Sequence, residues 1–286
     1  MVTYSQAFYE LKNKLHLLYE VRESEVIAHE IMLYLTGYNK TERLLQKERS
    51  LTEEQQARYE QASLELQSGR PLQYVTRSAW FMGREYMVNE SVLIPRPETE
   101  ELVQWILDDW KSRDGQVKIL DIGTGSGCIP ISLKLALIKA DLTSCDISGD
   151  ALKVAKQNAD KLKAHIQLME LDFLDTSQHN KLPVYDVIVS NPPYIPLSEK
   201  KRMHINVTGH EPAIALFVPD NDPLIFYRAI ALFGKTHLSG SGYIYCELDS
   251  EHAVACKALF ENSGYKNVEI RRDIHGNWRM IRAGMG

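Results

Sequence analysis

Apolar residues recur at helical spacing throughout residues 1–69. Two series carry the pattern, namely Leu11, Leu15 and Leu18, followed by Ile27, Ile31 and Leu35. Such spacing places the apolar side chains on one face of a helix. Gly37 follows the second series in the position of a C-cap, and Thr52 with Gln55 has the spacing of a capping box. The pattern predicts a small helix bundle that ends at Gly69.

The helical pattern stops at Arg70-Pro71. From Gln73 to Ile94 the chain is rich in aromatic and β-branched residues around Gly83 and Asn89, which predicts a short hairpin. Pro95 and Pro97 then exclude regular structure around the residue between them. We therefore predict a β-hairpin linker over residues 70–97, after which ETEELVQWILDDW resumes a helix.

Strand and helix signals alternate over the rest of the chain, which we treat as a domain of residues 98–286. The predicted strands are VKILD, ADLTSCDIS, IQLMELD, YDVIVSN and GYIYCEL, and helical segments such as CIPISLKLALIK and ALKVAKQNADKLK separate them. Alternating units predict an α/β fold with a parallel, doubly wound, Rossmann-like sheet. NVEIRRDI and NWRMIRAG, joined at His275-Gly276, predict a closing antiparallel hairpin.

Composition adds few constraints. The 286 residues are 44% hydrophobic and 25% charged, as in an ordinary globular protein. The net charge of −5 disfavours a protein whose main task is to bind a phosphate backbone. The four scattered cysteines are expected to be buried in a reducing compartment. With no signal-peptide pattern and no long apolar run, we expect a cytoplasmic protein without a membrane segment.

A Gly-rich turn follows the first predicted strand of the sheet. Gly123-Thr124-Gly125-Ser126-Gly127 has the spacing G-x-G-x-G, which differs from dinucleotide and phosphate-loop motifs. No lysine follows to hold a phosphate. Asp146 ends the second strand, where a carboxylate can accept ribose hydroxyls, and Asp172-Phe173 ends the third, where a ring can stack on adenine. The set predicts a nucleoside without a pyrophosphate, S-adenosyl-L-methionine rather than NAD, although a tight turn alone needs no ligand.

Asn191-Pro192-Pro193-Tyr194 follows the fourth strand. A nitrogen conjugated with a carbonyl or an aromatic ring is a poor nucleophile, because its lone pair is delocalised. The Asn191 side-chain oxygen and the Pro192 carbonyl can accept both of its N–H bonds and stabilise the charge that grows during attack. The prolines stiffen the loop, and Tyr194 offers a face for stacking. We interpret the loop as a catalytic clamp for a planar NH₂ group, the alternative being a rigid turn.

With these residues identified, the chain resembles the HemK-type family of methyltransferases, which modify peptide chain release factors. NPPY alone is shared with DNA and RNA amino-methyltransferases. More specific are LIPRPETE at Leu93 to Glu100, HEPAIALF at His210 to Phe217, and the helical N-terminal domain. The resemblance covers essentially the whole chain.

The resemblance implies a class I methyltransferase domain that methylates the glutamine in the Gly-Gly-Gln loop of release factors, with the N-terminal domain holding the protein substrate. It implies cofactor contacts from Gly123, Thr124, Gly125, Ser126, Gly127, Asp146, Phe173 and Asn191. It assigns the glutamine to Asn191, Pro192, Pro193 and Tyr194. Phe173 stands where some relatives have tryptophan, and His210 stands where tyrosine is expected. Arg96 and Glu98 either tie the domains together or contact substrate.

Two other classes of function compete with this expectation. One is a nucleic-acid adenine or cytosine amino-methyltransferase, which the acidic balance and the lack of room for a recognition domain disfavour. The other is a cofactor-sensing or scaffold protein on the same fold, against which the intact NPPY loop argues. We expect neither a metal ion nor direct DNA binding.

Overall fold

The computed structural model describes residues 2–16, 18–113, 115–203 and 205–286. Within them the chain forms two compact units, one of Met1–Ser78 with His204–His210 and the other of Ala79–Met203 with Glu211–Gly286. The first unit is built from helices, and the second contains the main β-sheet.

The N-terminal helices are α1 (Tyr4–Leu15), α2 (Val21–Thr36), α3 (Lys40–Leu45), α4 (Glu53–Gln67) and α5 (Leu72–Thr76). The predicted apolar positions of α1 and α2 are buried in one core, with the exception of Leu18. Leu18 is 45% exposed because α1 ends at Leu15, so its place in the first apolar series was wrong. The predicted C-cap at Gly37 and the capping box of Thr52 with Gln55 are both present.

The predicted hairpin forms, but it is shorter than the pattern indicated. Its strands are β1 (Ser78–Phe81) and β2 (Arg84–Met87), joined at Met82 and Gly83, which both have positive φ. The residues before it fold as α5 rather than as a strand, so the predicted start at Gln73 was wrong. The β-branched and aromatic residues of that segment are packed by tertiary contacts, which override local propensity.

The other strands are β3 (Lys118–Ile122), β4 (Asp141–Asp146), β5 (Gln167–Glu170), β6 (Tyr185–Ser190), β7 (Ile195–Pro196), β8 (Phe217–Val218), β9 (Leu238–Glu247), β10 (Lys266–Arg272) and β11 (Trp278–Gly284). The other helices are α6 (Pro97–Trp110), α7 (Cys128–Ala136), α8 (Gly149–Leu162), α9 (Ile205–Thr208), α10 (Ile225–His237) and α11 (Ala253–Asn262).

The described residues contain a seven-stranded sheet of order β10-β11-β9-β6-β3-β4-β5. Neighbours from β9 to β5 run parallel, and β11 and β10 complete the sheet as an antiparallel pair. One apolar core joins the sheet to α6, α7 and α8, and a second joins it to α10 and α11. Helices thus cover both faces, and the predicted doubly wound sheet with a closing hairpin is confirmed.

Three smaller expectations can be compared with this fold. Each of the four cysteines lies among the described residues and is buried as a free thiol, as predicted. No helix in the described part of the chain is both long enough and apolar enough to cross a bilayer. The described residues contain no cluster of three or more histidine, cysteine or acidic side chains that could hold a metal ion.

Candidate active site

Strand register brings the predicted motifs to one edge of the sheet. Ile122, the last residue of β3, pairs with Cys145 of β4 on one side and with Ser190 of β6 on the other. Ser190 pairs in turn with Cys246 of β9. All these strands are parallel, so the residues that follow them emerge at the same carboxyl edge, where open α/β sheets bind ligands.

The Gly-rich turn and the NPPY loop lie against each other at this edge. A Cβ atom placed on Gly123 would lie 4.0 Å from the backbone oxygen of Asn191, and Gly123 has a φ of +79°. The Ser190 hydroxyl donates a hydrogen bond of 2.8 Å to the carbonyl of Ile122. The backbone at the end of β6 is therefore fixed directly beside the turn.

A cavity of about 260 Å³ opens between these segments. Of the predicted site residues, its lining contains Gly123, Thr124, Gly125, Ser126, Asp146, Phe173, Asn191, Pro192 and Pro193. Among the described residues two of the predicted set do not line it, namely Gly127 and Tyr194. The structure therefore gathers most of the sequence-derived site around one space.

Gly127 has a packing role. A Cβ there would lie 2.9 Å from Cδ1 of Ile131 and 3.2 Å from Cβ of Ala155, and the residue has a φ of +81°. It is the N-cap of α7, so both the conformation and the close approach of α7 to α8 require glycine.

Asp146 organises the turn through both of its carboxylate oxygens. Oδ2 accepts a hydrogen bond of 2.8 Å from the backbone N–H of Gly125, and Oδ1 accepts one of 2.9 Å from Ser148. Each carboxylate oxygen has two lone pairs, so both retain capacity for a ligand hydroxyl. The predicted ribose contact is compatible with this geometry and stays a prediction.

Asp121 is buried beneath the turn and was not among the predicted site residues. Its Oδ2 accepts a hydrogen bond of 2.5 Å from Ser144, whose hydroxyl also contacts that of Thr124. Desolvation raises the pKa of the Asp121 carboxyl to about 7, against the lowering effect of these hydroxyls. Its Oδ1 has no hydrogen-bond partner among the described residues. Asp121 is fully buried and does not line the cavity, so this oxygen lies behind the turn rather than facing a ligand.

Phe173 is buried as well as lining the cavity. Its ring centroid lies 5.2 Å from that of Phe233 in an edge-on contact and 4.7 Å from that of His179. The His179 Nε2 atom lies 3.0 Å from the Phe173 carbonyl oxygen. The ring is held rigidly at the edge of the cavity, and adenine stacking on it remains a prediction.

The Asn191 side chain lies at one end of a chain of hydrogen bonds that runs through Thr99 to Glu247. Its Nδ2 donates a hydrogen bond of 3.2 Å to the hydroxyl of Thr99, near the start of α6. Thr99 donates one of 2.6 Å to Oε2 of Glu247, the last residue of β9. The nitrogen end of the Asn191 carboxamide is therefore engaged.

Tyr194 reaches the same carboxylate from the other side. Its hydroxyl donates a hydrogen bond of 3.1 Å to Oε1 of Glu247. Burial and the charge of Glu247 raise the pKa of Tyr194, so the phenol stays protonated and donates. Burial likewise raises the pKa of Glu247, while Thr99, Arg279 and Tyr194 act to lower it. Tyr194 is thus anchored by its hydroxyl beside the cavity.

Arg96 and Glu211 close one wall of the cavity. Arg96 lines the cavity and forms an ion pair of 2.5 Å with Glu211, whose carboxylate also accepts the backbone N–H of Ile94 at 3.3 Å. The Glu211 side chain is 1% exposed. The pair holds the LIPRP segment against the HEPAIALF segment within the sheet unit. Glu98 contributes a negative charge near Glu247, and His210 belongs to the helical unit.

Thr99 and Glu247 are the site residues that sequence reasoning missed. Glu247 is the next-to-last residue of the predicted strand GYIYCEL, so an acid near the end of that strand was a usable signal, as it was for Asp146. Thr99 gave no signal, because threonine is common at the N-termini of helices whether or not it has a function. The register of β6 and β9 brings Glu247 beside Asn191, and the packing of α6 on β9 adds Thr99.

Both parts of the chain are similar to known proteins. Residues 7–76 match the family model "PrmC N-terminal domain", and residues 100–208 match "Methyltransferase small domain". A release factor glutamine methyltransferase of Flavobacterium psychrophilum is 39% identical over 93% of this chain and 93% of its own length. The protein of the same name from Bacteroides thetaiotaomicron is 37% identical over 96% of this chain and 97% of its own.

Solved structures resemble the fold at lower identity. A methyltransferase from Pyrococcus furiosus has a TM-score of 0.53 and 16% identity, and covers 82% of this chain and 100% of that one. The hMettl16 catalytic domain, solved with an RNA hairpin, has a TM-score of 0.56 and 16% identity over 83% of this chain and 84% of that one. These likenesses show the class I methyltransferase fold alone. On sequence identity over nearly its whole length, the chain belongs to the release factor glutamine methyltransferase family.

Proposed function

We propose that the protein transfers a methyl group from S-adenosylmethionine to the side-chain amide nitrogen of the glutamine in the Gly-Gly-Gln loop of peptide chain release factors. The observation that carries the proposal is how the two ends of the Asn191 carboxamide are hydrogen-bonded. Its carboxamide nitrogen is engaged by Thr99, while Asn191 itself lines the cavity beside the Gly-rich turn. The carboxamide oxygen is therefore the end left to accept a substrate N–H.

The residues around the cavity fit the cofactor. The glycines of the turn leave backbone exposed to a ligand, and the Asp146 carboxylate at the cavity wall offers acceptors to ligand hydroxyl groups. When bound, S-adenosylmethionine supplies an electrophilic methyl group on a positively charged sulfur. The absence of a lysine in the turn also suits a nucleoside that lacks phosphates.

The chain's own contribution to the chemistry is positioning. Asn191 Oδ1 and the Pro192 carbonyl accept the two N–H bonds of the glutamine amide and hold its nitrogen toward the Gly-rich turn. Both acceptors also stabilise the positive charge that develops on nitrogen during attack. Transfer forms the N–C bond as the S–C bond breaks, and the methylated, positively charged nitrogen then loses one proton to solvent, so positioning supplies the catalysis without a strong base. Neither Pro192 nor Pro193 has a backbone N–H, so neither can compete with the amide as a donor.

The family names favour glutamine over a nucleobase as the target. The same NPPY clamp would accept an exocyclic amine, and the hMettl16 structure contains RNA. However, the relatives that match nearly the whole chain are named for release factors, and the net charge of −5 suits a protein substrate better than a phosphate backbone.

The direct test is incubation of the enzyme with labelled S-adenosylmethionine and purified release factor, followed by mass spectrometry of the Gly-Gly-Gln peptide. We expect one methyl group on the glutamine and none on a release factor in which that glutamine is replaced by alanine. Duplex DNA and total RNA serve as competing substrates in parallel reactions. Label in nucleic acid and none in the release factor would reject the proposal.

We assign recognition of the release factor to the helical unit. On α2, Val26, Leu33 and Tyr34 are exposed at spacings of seven and eight residues, so they share one helix face. Leu44 and Leu45 of α3 are exposed too. Replacing Leu33 by aspartate should raise the KM for release factor without changing cofactor affinity. Equal rises in both constants would argue against this assignment.

A further inference from the structure

The carboxylate of Glu247 lies at the centre of the polar contacts behind the NPPY loop. Glu247 is 2% exposed, and its two oxygens accept the hydroxyls of Thr99 and Tyr194 at 2.6 and 3.1 Å. Its backbone carbonyl accepts the hydroxyl of Tyr227 at 2.9 Å. It does not line the cavity, so it acts on substrate only through its neighbours.

The direction of these hydrogen bonds has a chemical consequence. A hydroxyl has one hydrogen and two lone pairs, and an ionised carboxylate accepts without donating. Thr99 must therefore give its hydrogen to Glu247, which leaves its oxygen able only to accept from Asn191. A carboxamide has a donor end and an acceptor end, so this choice sets which end of Asn191 points at Thr99.

We propose that Glu247, acting through Thr99, is a positioning residue that orients the Asn191 carboxamide with its oxygen toward the substrate amide. The same carboxylate fixes the Tyr194 ring through its hydroxyl. This inference rests on the proposed function, because it assigns Asn191 Oδ1 the role of acceptor for the glutamine N–H. A reversed carboxamide would present NH₂ to NH₂ and repel the substrate.

Replacement of Glu247 by glutamine keeps the size of the side chain, but it no longer fixes the direction of the hydrogen bonds from Thr99 and Tyr194. A glutamine amide has one oxygen, which cannot accept well from both Thr99 and Tyr194, and its NH₂ must donate to one of them. When it donates to Thr99, the threonine hydrogen is released toward Asn191 and favours the reversed carboxamide. The variant should still fold, since a neutral amide is less costly to bury than a carboxylate.

Glu247→Gln should lower kcat by about 10- to 100-fold, as loss of a positioning contact does, while the dissociation constant of S-adenosylmethionine stays unchanged. Thr99→Val should give a loss of similar size, because it removes the hydroxyl at nearly constant volume. Thr99→Ser retains the hydroxyl and should recover activity to within about threefold of wild type. The matched control is Tyr265→Phe, which removes a buried hydroxyl that donates to the backbone carbonyl of Ala231.

The pH profile provides a second readout. The groups facing Glu247 are Glu98 and Thr99 of α6, Tyr194 of the loop, Arg279 of β11, Tyr227 of α10 and Cys128 of α7. Because burial raises the pKa of Glu247, this carboxyl ionises at a higher pH than an exposed glutamate does. The kcat of the wild type should increase with pH through that pKa, and Glu247→Gln should lack this step.

Nuclear magnetic resonance tests the orientation without activity. The Asn191 side-chain NH₂ signal, assigned by its loss in Asn191→Ala, should shift in Glu247→Gln and in Thr99→Val but not in Tyr265→Phe. An unmoved signal in Glu247→Gln, or a kcat within about twofold of wild type, would overturn the inference. If wild-type enzyme leaves release factor unmethylated, the proposed function fails instead, and the NMR result still decides the orientation.

Discussion

Two regions meet at the carboxyl edge of the sheet, and each contains a buried acid. The turn region consists of Gly123–Gly127 with Asp121 and Asp146, and the loop region consists of Asn191–Tyr194 with Thr99 and Glu247. Asp121 is fully buried, and Glu247 is 2% exposed. In both, hydroxyl groups donate to the acid and burial raises its pKa.

The two regions differ in the sequence separation of the residues that form their hydrogen bonds. Within the turn region, Gly125 and Asp146 are 21 positions apart and Asp121 and Ser144 are 23 apart. In the loop region, Asn191 and Thr99 are 92 positions apart, and Thr99 and Glu247 are 148 apart. The turn region is thus built within one strand–helix–strand unit, whereas the loop region depends on the assembled sheet.

The largest expected effect tests the loop region directly. Asn191→Ala should lower kcat by about 10²- to 10³-fold, the cost of losing one hydrogen-bonding group that stabilises transition-state charge. The free energy of unfolding should change little, because the lost side chain makes one hydrogen bond to Thr99 at the edge of the fold. Methyl transfer to release factor measures the effect, and retained turnover would contradict the amide clamp.

The second prediction concerns the buried acid of the turn region. Because the folded-state pKa of Asp121 is raised from 3.8 to about 7, the folded protein binds this proton more tightly than the unfolded chain. Stability should therefore fall as pH rises from about 4 to 7, by an amount on the order of a few kcal/mol, and then level off.

Asp121→Asn should remove this loss, so its stability should decline less than that of the wild type between the same two pH values. Urea unfolding at a series of pH values measures the difference. Asp150→Asn, which replaces an acid on the surface of α8, is the control and should follow the wild-type profile. Parallel profiles for Asp121→Asn and wild type would show that this carboxyl does not titrate anomalously.

The third prediction compares two glycines of the turn. Gly127→Ala should reduce the free energy of unfolding by about 2 kcal/mol, because the methyl group would overlap Ile131 and the φ of +81° is unfavourable. Gly125→Ala has no heavy atom within 4 Å of the new Cβ and should lose about 1 kcal/mol from backbone strain alone. Equal losses would mean that close packing of α7 on α8 is unimportant.

The smallest expected effect comes from the hydroxyl of Tyr194, which donates a hydrogen bond to Glu247. Tyr194→Phe keeps the ring and removes the hydrogen bond to Glu247, so kcat should fall by about 3- to 10-fold. Combining it with Glu247→Gln should add little, because both changes remove the same contact. Fully multiplicative losses would show that Tyr194 acts independently of Glu247.

Much of the fold followed from local patterns. The capping box at Thr52, the αL glycine at Gly37 and the helix that begins at Pro97 are decided by neighbours three or four residues away, and all three are present. The end of α1 and the helix α5 were missed, because tertiary contacts rather than propensity decide where such short segments begin and end.

By itself, the sequence determined the alternation of strands and helices, the Gly-rich turn and the identity of the NPPY loop, since each is a property of adjacent residues. It also determined the family through motifs along nearly the entire chain. Tertiary structure alone decided that Glu247 and Thr99 stand behind Asn191 and that residues 205–210 belong with the N-terminal helices. These side chains, more than ninety positions apart, meet only after β6 and β9 have paired and α6 has packed on β9, and neither event is a property of adjacent residues.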